Sequence, residues 1–386
     1  MLTRAFATPM TDRKLVFWHL IQSPHQAALV AAIARVAGLS VAYVFEEQLS
    51  RDRRQLGWSP PSMSGARLFQ VSTDADVRDV LRAVGPDAVH ICQGLRANGL
   101  VGVAQRLLAE AGEKYAVVLE TVEDRGWRGL ARRWLYRRTL RVQREAIRFI
   151  LAIGASTGSW LEQCGGGDVP TYEFAYFLDA AEHGDQPRGG DDRFCIGFVG
   201  QLIERKRVDL LLDALGMLGA TGPFRLVVVG DGPVRSSLER QAARLPRNIE
   251  VRWHGVEQSA AARSRIATMD CLVLPSRHDG WGAVVSEALL SGVPAVCSDA
   301  CGVSGVVECS RVGGVFRSGD ARSLAQVLSG VVSKGASPPE ARIRLAAWAR
   351  GCLSGAAGAA YLSEIIAHAD TGRGTSPVAP WRRHSP

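Results

Sequence analysis

Short apolar runs alternate with helical stretches along this chain, and the rhythm runs through twice. In the first half LVFWHLI (15–21), LSVAYVFEE (39–47), DAVHICQG (87–94), KYAVVLETV (114–122) and RFILAIGAS (148–156) read as strands. Between them SPHQAALVAAIARVAG (23–38), DVRDVLRAVG (76–85) and NGLVGVAQRLLAEAG (98–112) read as helices, the first with Ser23 as N-cap and Pro24 at its first position. The pattern breaks at EHGDQPRGGDDR (182–193), a polar, Gly-rich stretch suited to a linker. It restarts with strands at 193–200, 224–232, 249–255, 270–276 and 293–299, each followed by a helix. Strands this short and apolar are those of a parallel sheet covered on both faces.

The expected fold class is therefore α/β: two doubly wound, Rossmann-like domains facing each other across a cleft. The boundaries read as an N-terminal domain at 1–185, a linker at 186–193 and a second domain at 194–340. Helices at 341–370 are expected to pack back on the first domain, and the tail 371–386, TGRGTSPVAPWRRHSP, to be disordered. In such sheets ligands bind beyond the carboxyl ends of the strands.

Composition narrows the class of protein. A chain of 386 residues is too long for one ordinary core, and 47% hydrophobic with 22% charged residues argues against chain-wide disorder. No apolar run reaches the roughly 18 residues of a membrane span, and the N-terminus lacks a secretory apolar region before Asp12, Arg13 and Lys14. A cytoplasmic protein is expected, with Met10 a second candidate start to Met1. The eight cysteines form no C-x-x-C pair and join no His at zinc spacing, so they read as buried free thiols, and no metal site is expected.

The net charge of +8 favours an anionic partner. Much of it sits in residues 125–148, where nine arginines face one acid, Glu145, and Trp127, Trp134 and Tyr136 are interleaved. Apolar residues at 130, 134, 140, 147 and 150 give a partial helical stripe. A basic helix with Trp can lie on an anionic membrane surface; an ordinary amphipathic helix with a solvated Arg face is the competing reading. Nucleic acid is not expected, since no recognised binding fold is present.

Three motifs bear on chemistry. In FVGQLIERKRVDLLLDAL (198–215) Gly200 ends a strand and Arg205, Lys206 and Arg207 precede a helix, which suits a phosphate as well as it suits a solvated basic loop. VVVGDGP (227–233) lacks the third glycine of a dinucleotide fingerprint and reads first as a tight strand-to-helix turn. LPSRHDGWGAVVSEALLSGVPAVCSD (274–299) is the informative one. Gly280 and Gly282 leave backbone N–H groups accessible at a helix start, and Glu287, about a turn inside, is placed to accept from the hydroxyls of a ribose. Taken singly, Asp279 also reads as a turn residue and Glu287 as a partner of the helix dipole.

The order and spacing of these three segments resemble the donor-binding domain of retaining GT-B glycosyltransferases of family 4, the group 1 glycosyltransferases of Glu-x7-Glu type. The resemblance is strong from 194 to about 330 and weak through the first half. It implies a hexosyl-type transferase acting with retention, without an essential metal or other cofactor. The donor would be a nucleotide-diphosphate sugar and the acceptor a saccharide or lipid-linked saccharide, in bacterial cell-surface polysaccharide synthesis at the inner face of the membrane. By the same resemblance Lys206 contacts the donor pyrophosphate, Asp279 lies near the donor sugar and Glu287 holds the ribose. Gly200, Gln201, Arg205, Gly280, Trp281 and Gly282 complete the donor site. His25, in SPHQ after the first strand, joins Asp279 and Lys206 as a catalytic candidate, although it reads equally as a helix-start His. Glu120 and Glu123 line the acceptor side, and Tyr176, in FAYFLD, reads as packing.

Two departures from the family pattern stand out: Gln201 replaces an Arg, and Asp279 replaces a Glu. They keep a non-catalytic nucleotide-sugar-binding homologue open as an alternative, beside a nucleotide-sugar epimerase and a nicotinamide oxidoreductase built on VGDGP. Arg205 or Arg207 is the candidate to compensate for the charge missing at Gln201.

Overall fold

The computed structural model describes residues 13–48, 60–96, 98–120, 122–124, 126–179, 193–218, 222–383 and 386. The described chain divides into two compact units. The first holds the residues up to Asp179 together with Ser354–Pro380, and the second holds Ala180–Leu353 and Trp381–Pro386.

The first unit is a seven-stranded sheet of β1 (Arg13–Ile21), β2 (Leu39–Glu47), β3 (Arg67–Gln70), β4 (Val89–Gln93), β5 (Tyr115–Glu120), β6 (Ile147–Ile153) and β7 (Thr171–Phe174). Its order is β3-β2-β1-β4-β5-β6-β7, with every pairing parallel. The second unit has six strands: β8 (Phe194–Val199), β9 (Phe224–Val229), β10 (Ile249–Gly255), β11 (Cys271–Leu274), β12 (Ala295–Ser298) and β13 (Gly313–Phe316). They run β10-β9-β8-β11-β12-β13, again all parallel. Helices between the strands cover the sheets, so Leu15 through Trp18, Ile150 and Leu272 are fully buried although neighbours point to opposite faces. In both sheets the order reverses beside the first strand: between β1 and β4, and between β8 and β11. Crevices outside the carboxyl ends at such reversals are where doubly wound sheets bind ligands.

Three expectations change here. The helices expected at 341–370 divide between the two units, so only the later part goes with the first. Pro339–Leu353 stays with the second unit, where Arg342 Nη1 donates to the carbonyl of Met269 at 3.0 Å. Gly355–Thr371 belongs to the first. Ser354 makes the break: it is extended, and its hydroxyl accepts from the N–H of Ala357. A Cβ on Gly355 would lie 2.2 Å from the carbonyl oxygen of Ala28, so only glycine lets this helix approach Pro24–Ala34 so closely.

The tail is not disordered over its described part either. Pro380–Arg383 form a helical turn, and Trp381 is fully buried with its ring 6.2 Å from that of Trp281. A polar average over sixteen residues conceals what one tryptophan gains by burial. Finally, the apolar stripe of the basic segment does not exist as one face. The helix ends at Gln143, so positions 147 and 150 belong to β6, and of the rest only Leu140 is buried. The proposed linker, apart from Arg193, and both candidate starts lie outside the described residues.

Candidate functional site

The reversal between β8 and β11 gathers the motif residues of the second unit. Gly200 follows β8, a single 3₁₀ turn (Glu204–Lys206) carries the cations, and the loop after β11 runs from Pro275 to Gly282. The two loops are stitched together. Arg277 N–H donates to the Arg205 carbonyl at 2.8 Å, and Arg205 Nη1 to the His278 carbonyl at 2.6 Å. Lys206 Nζ donates to Asp279 Oδ2 at 2.6 Å, with both side chains about 15% exposed (14% and 15%). The buried Ser276 hydroxyl donates to the same oxygen at 3.3 Å, and Arg205 Nη1 stands 3.8 Å from it. Two cations thus meet one carboxylate, which leaves an excess of positive charge beside a helix start.

That helix is Ala283–Leu290, with Gly282 as its N-cap in a left-handed conformation (φ 102°). A Cβ there would lie 2.7 Å from Leu274 Cδ2. The first N–H groups of a helix have no partner inside it, so this end presents donors and a positive dipole end. The loop is held from the other side by parallel pairing of Asp279 with Cys301: Asp279 N–H donates to Ala300 at 3.1 Å, and Gly302 N–H to Asp279 at 3.0 Å. Trp281 is buried rather than facing a ligand. Its indole N–H donates to Ser286 Oγ at 3.0 Å and its ring neighbours Trp381, so only its backbone can serve a ligand.

VVVGDGP serves the same loops. A Cβ on Gly230 would lie 1.9 Å from the Gly200 carbonyl oxygen, and one on Gly232 2.3 Å from that of Leu202. Leu202 N–H donates to Asp231 and Val234 N–H returns to Leu202. The glycines are needed for two backbones to cross, which supports the tight-turn reading over a dinucleotide fingerprint. Arg207 is committed elsewhere: its Nε donates to both oxygens of Asp209 at 3.0 and 3.1 Å. Of the two candidates to offset Gln201, Arg205 is the one at the site.

Glu287 is 25% exposed on the helix Ala283–Leu290. Burial pushes its carboxyl up to about 7, against the opposing pull of Arg263, whose Nη1 lies 3.9 Å from Glu287 Oε1. Arg263 comes from the helix Ser259–Ala267, and no motif in the sequence pointed to it.

In the first unit, the ring of His25 stacks on Tyr176 (centroids 5.1 Å apart), and the Tyr176 hydroxyl donates to Glu120 Oε1. Tyr176, read from sequence as packing, therefore links two site candidates. Glu123 lies in the loop after β5, where its carbonyl accepts from Arg132. At the β1/β4 reversal the sequence reading missed a set of amides. Gln93 Oε1 accepts from Leu20 N–H at 3.1 Å, Asn98 Nδ2 donates to the Gln93 carbonyl at 2.9 Å, and Gln105 Nε2 to the Gly94 carbonyl at 2.8 Å. No signal marks them in sequence, because each bond joins residues that no known motif pairs.

Residues 181–348 match the family model of the Glycosyl transferases group 1. A GDP-mannose-dependent alpha-mannosyltransferase of Mycolicibacterium smegmatis is 28% identical over 244 residues, which is 61% of each chain. The protein of the same description from Mycobacterium tuberculosis is 30% identical over 185 residues, 48% of this chain and 44% of that one. The matches thus span about three fifths of the first relative's length and less than half of the second's. Among solved structures, Anabaena HepE in complex with UDP and glucose superposes with a TM-score of 0.67 at 17% identity, over 92% of this chain and 99% of that one. The apo form of the lipopolysaccharide outer core galactosyltransferase WaaB gives 0.67 at 14%, over 93% and 99%. At such identities the likeness is one of fold, and the fold is GT-B.

Proposed function

We propose that the chain is a retaining glycosyltransferase of family 4. It moves a hexose from a nucleotide-diphosphate sugar to a saccharide or lipid-linked saccharide acceptor. The observation that carries this reading is the meeting of Arg205, Lys206 and Asp279 with the start of the helix Ala283–Leu290 at the β8/β11 reversal. When the bond between the sugar's anomeric carbon and the diphosphate breaks, negative charge grows on the departing phosphate. Lys206, Arg205 and the N–H groups of the Gly280–Gly282 turn are donors already held in place for it. Glu287 would accept from the ribose hydroxyls. Asp279 would hold Lys206 and meet the sugar, while His25, with Tyr176 and Glu120, would meet the acceptor. The positive charge comes from side chains, so transfer is expected without a metal ion and to persist in EDTA.

The mannosyltransferases and HepE supply the first donors to try, GDP-mannose and UDP-glucose. Purified protein should release GDP or UDP from one of them only when a hydroxylated acceptor is added, and the product should keep the donor's anomeric configuration. Conversion of the donor without acceptor would favour an epimerase. Binding without any release would favour a non-catalytic homologue. An inverted product would remove the retaining assignment.

A cytoplasmic protein working on cell-surface saccharides at an anionic membrane fits the helix Gly126–Gln143. Among described residues, no helix is long and apolar enough to cross a membrane. This helix instead turns Trp127 (74% exposed), Leu130 and Trp134 (60%) outward on one face, with Arg138 and Arg141 among them. Arg137, Arg141 and Arg144 line an open depression of about 390 Å³ beside it. Exposed indoles interleaved with guanidinium groups suit the interface of anionic phospholipids. Vesicles containing phosphatidylglycerol should sediment the protein, pure phosphatidylcholine vesicles should not, and Trp127→Ser with Trp134→Ser should abolish the difference. Binding to neither would remove the membrane from the reading, and equal binding to both would remove the preference for anionic lipid.

A further inference from the structure

We propose that Arg263 is a positioning residue that keeps Glu287 ionised, with both of its oxygens available to the hydroxyls of a bound nucleotide's ribose. This rests on the reading of Glu287 as the ribose-binding carboxylate. Two acceptor oxygens are needed to receive a vicinal pair of hydroxyls, and a protonated carboxyl has lost one of them. Glu287 sits on a helix packed into the second unit, where burial favours the protonated form. Arg263 opposes this from 3.9 Å, close enough for its charge to act and too far for a hydrogen bond that would occupy a carboxylate oxygen. Its Nε is buried and has no acceptor among the described residues, so no competing partner draws the guanidinium away through that atom.

The neighbouring charges are committed elsewhere. Arg265, on the same helix as Arg263, is held by Glu257 at 2.5 Å. Arg342, from the helix Pro339–Leu353, donates to the carbonyls of Ala267 and Met269. Lys206 and Arg205 face Asp279 in the preceding loop. Strands β11 and β12 bring only the thiols of Cys271 and Cys297, both pushed up, the first chiefly by burial and the second by its bond to Cys301. Among the described residues, Arg263 is the cation whose charge is seen to act on Glu287.

The test is calorimetric titration of wild type, Arg263→Met, Arg263→Lys and Glu287→Gln with GDP-mannose and UDP-glucose across about pH 6 to 9. The phosphodiesters of these ligands hold their charge over that range. Wild-type affinity should fall as pH drops through about 7. Arg263→Met should move that fall upward by about one pH unit, giving roughly tenfold weaker binding below neutrality and near wild-type binding at the alkaline end. Arg263→Lys, which keeps the charge, should retain the wild-type midpoint. Glu287→Gln should bind weakly at every pH. If Glu287→Gln weakens binding and Arg263→Met leaves the midpoint unmoved, the role of Arg263 is overturned while that of Glu287 stands. If Glu287→Gln binds like wild type, or neither ligand binds wild type, the ribose reading falls and this inference falls with it.

Discussion

The two units share one six-strand order, to which the first adds β7, and differ in what they place at its reversal. Beside β8 and β11 stand a lysine, an arginine and an aspartate, with a helix start behind them. Beside β1 and β4 stand Gln93, Asn98 and Gln105, neutral amides bonded to backbone and to one another. Fixed charge suits a diphosphate, whose affinity is largely electrostatic. Neutral amides suit hydroxyl groups, which they can meet as donor and as acceptor without desolvating an ion. On the proposed reading, the reversal sets where a ligand would bind in each unit and the side chains set its kind.

The sharpest way to break this contrast is to remove its charge. Lys206→Ala should lower turnover by about 10²–10³-fold, the range typical of losing one donor to a developing anion. It should also leave Asp279, mostly buried, with Arg205 at 3.8 Å as its remaining cation. Steady-state release of GDP or UDP measures the first effect and thermal melting the second. Activity within a few-fold of wild type would show that the β8/β11 reversal does not carry the reaction.

Acid should separate the units next. His19 lies fully buried on β1, stacked on Tyr43; burial pulls it down to about 4, against the weaker opposing influence of the nearby Gln93 side chain. His90 on β4 is also pulled down to about 4 by burial, and its Nδ1 accepts from the Trp18 indole N–H at 3.0 Å, which requires a lone pair there. The unfolded chain takes up a proton on each near its ordinary value of 6.5, and the folded chain only near 4. Stability contributed by the neutral rings is thus full above 6.5 and lost as pH falls toward 4, by about 3 kcal/mol for each ring. Urea unfolding at about pH 7.5 and pH 5 should show about 2 kcal/mol of this loss per ring in the first unit, and His19→Phe should remove roughly half of the total. An unchanged midpoint between the two pH values would show that these rings are not held neutral.

Much of the fold was legible because buried parallel strands advertise themselves as apolar runs; β2 and β10 fall at the residues their sequences suggest. What was missed lies where burial is incomplete or glycine dilutes the pattern. β3 (RLFQ), which buries none of its residues, and β7 (TYEF), which buries two of its four, are short edge strands, and β13 begins with two glycines. The stripe read at 130, 134, 140, 147 and 150 misled in the opposite sense, since apolar residues at helical spacing suggest a buried face and Leu130 and Trp134 point to solvent. In the candidate site the motif residues were visible because they are close together in sequence. Arg263 and Tyr176 were not, because their significance comes from partners 24 and 56 residues away.

A smaller effect tests whether the crossing of backbones sets the second unit's loops. Gly230→Ala would put a Cβ 1.9 Å from the Gly200 carbonyl, at a φ of 133° that side chains avoid, and should cost about 1–3 kcal/mol or more. Gly167→Ala in the first unit meets nothing within 4 Å and should stay within about 0.5 kcal/mol of wild type. If both variants melt alike, the close approach of the two loops does not constrain the site.

The finest test asks whether the first unit takes part through Tyr176. Tyr176→Phe keeps the ring that stacks on His25 and removes only the hydroxyl that donates to Glu120. The protein keeps its packing, so melting should change by no more than about 1 kcal/mol, the net worth of one such bond. If His25 and Glu120 hold the acceptor, losing this bond should raise KM for the acceptor by about two- to tenfold and leave donor affinity unchanged. That split matters more than its size. A change confined to the acceptor would tie the first unit to the acceptor. A change in donor affinity alone would mean that the two units do not divide the two substrates between them.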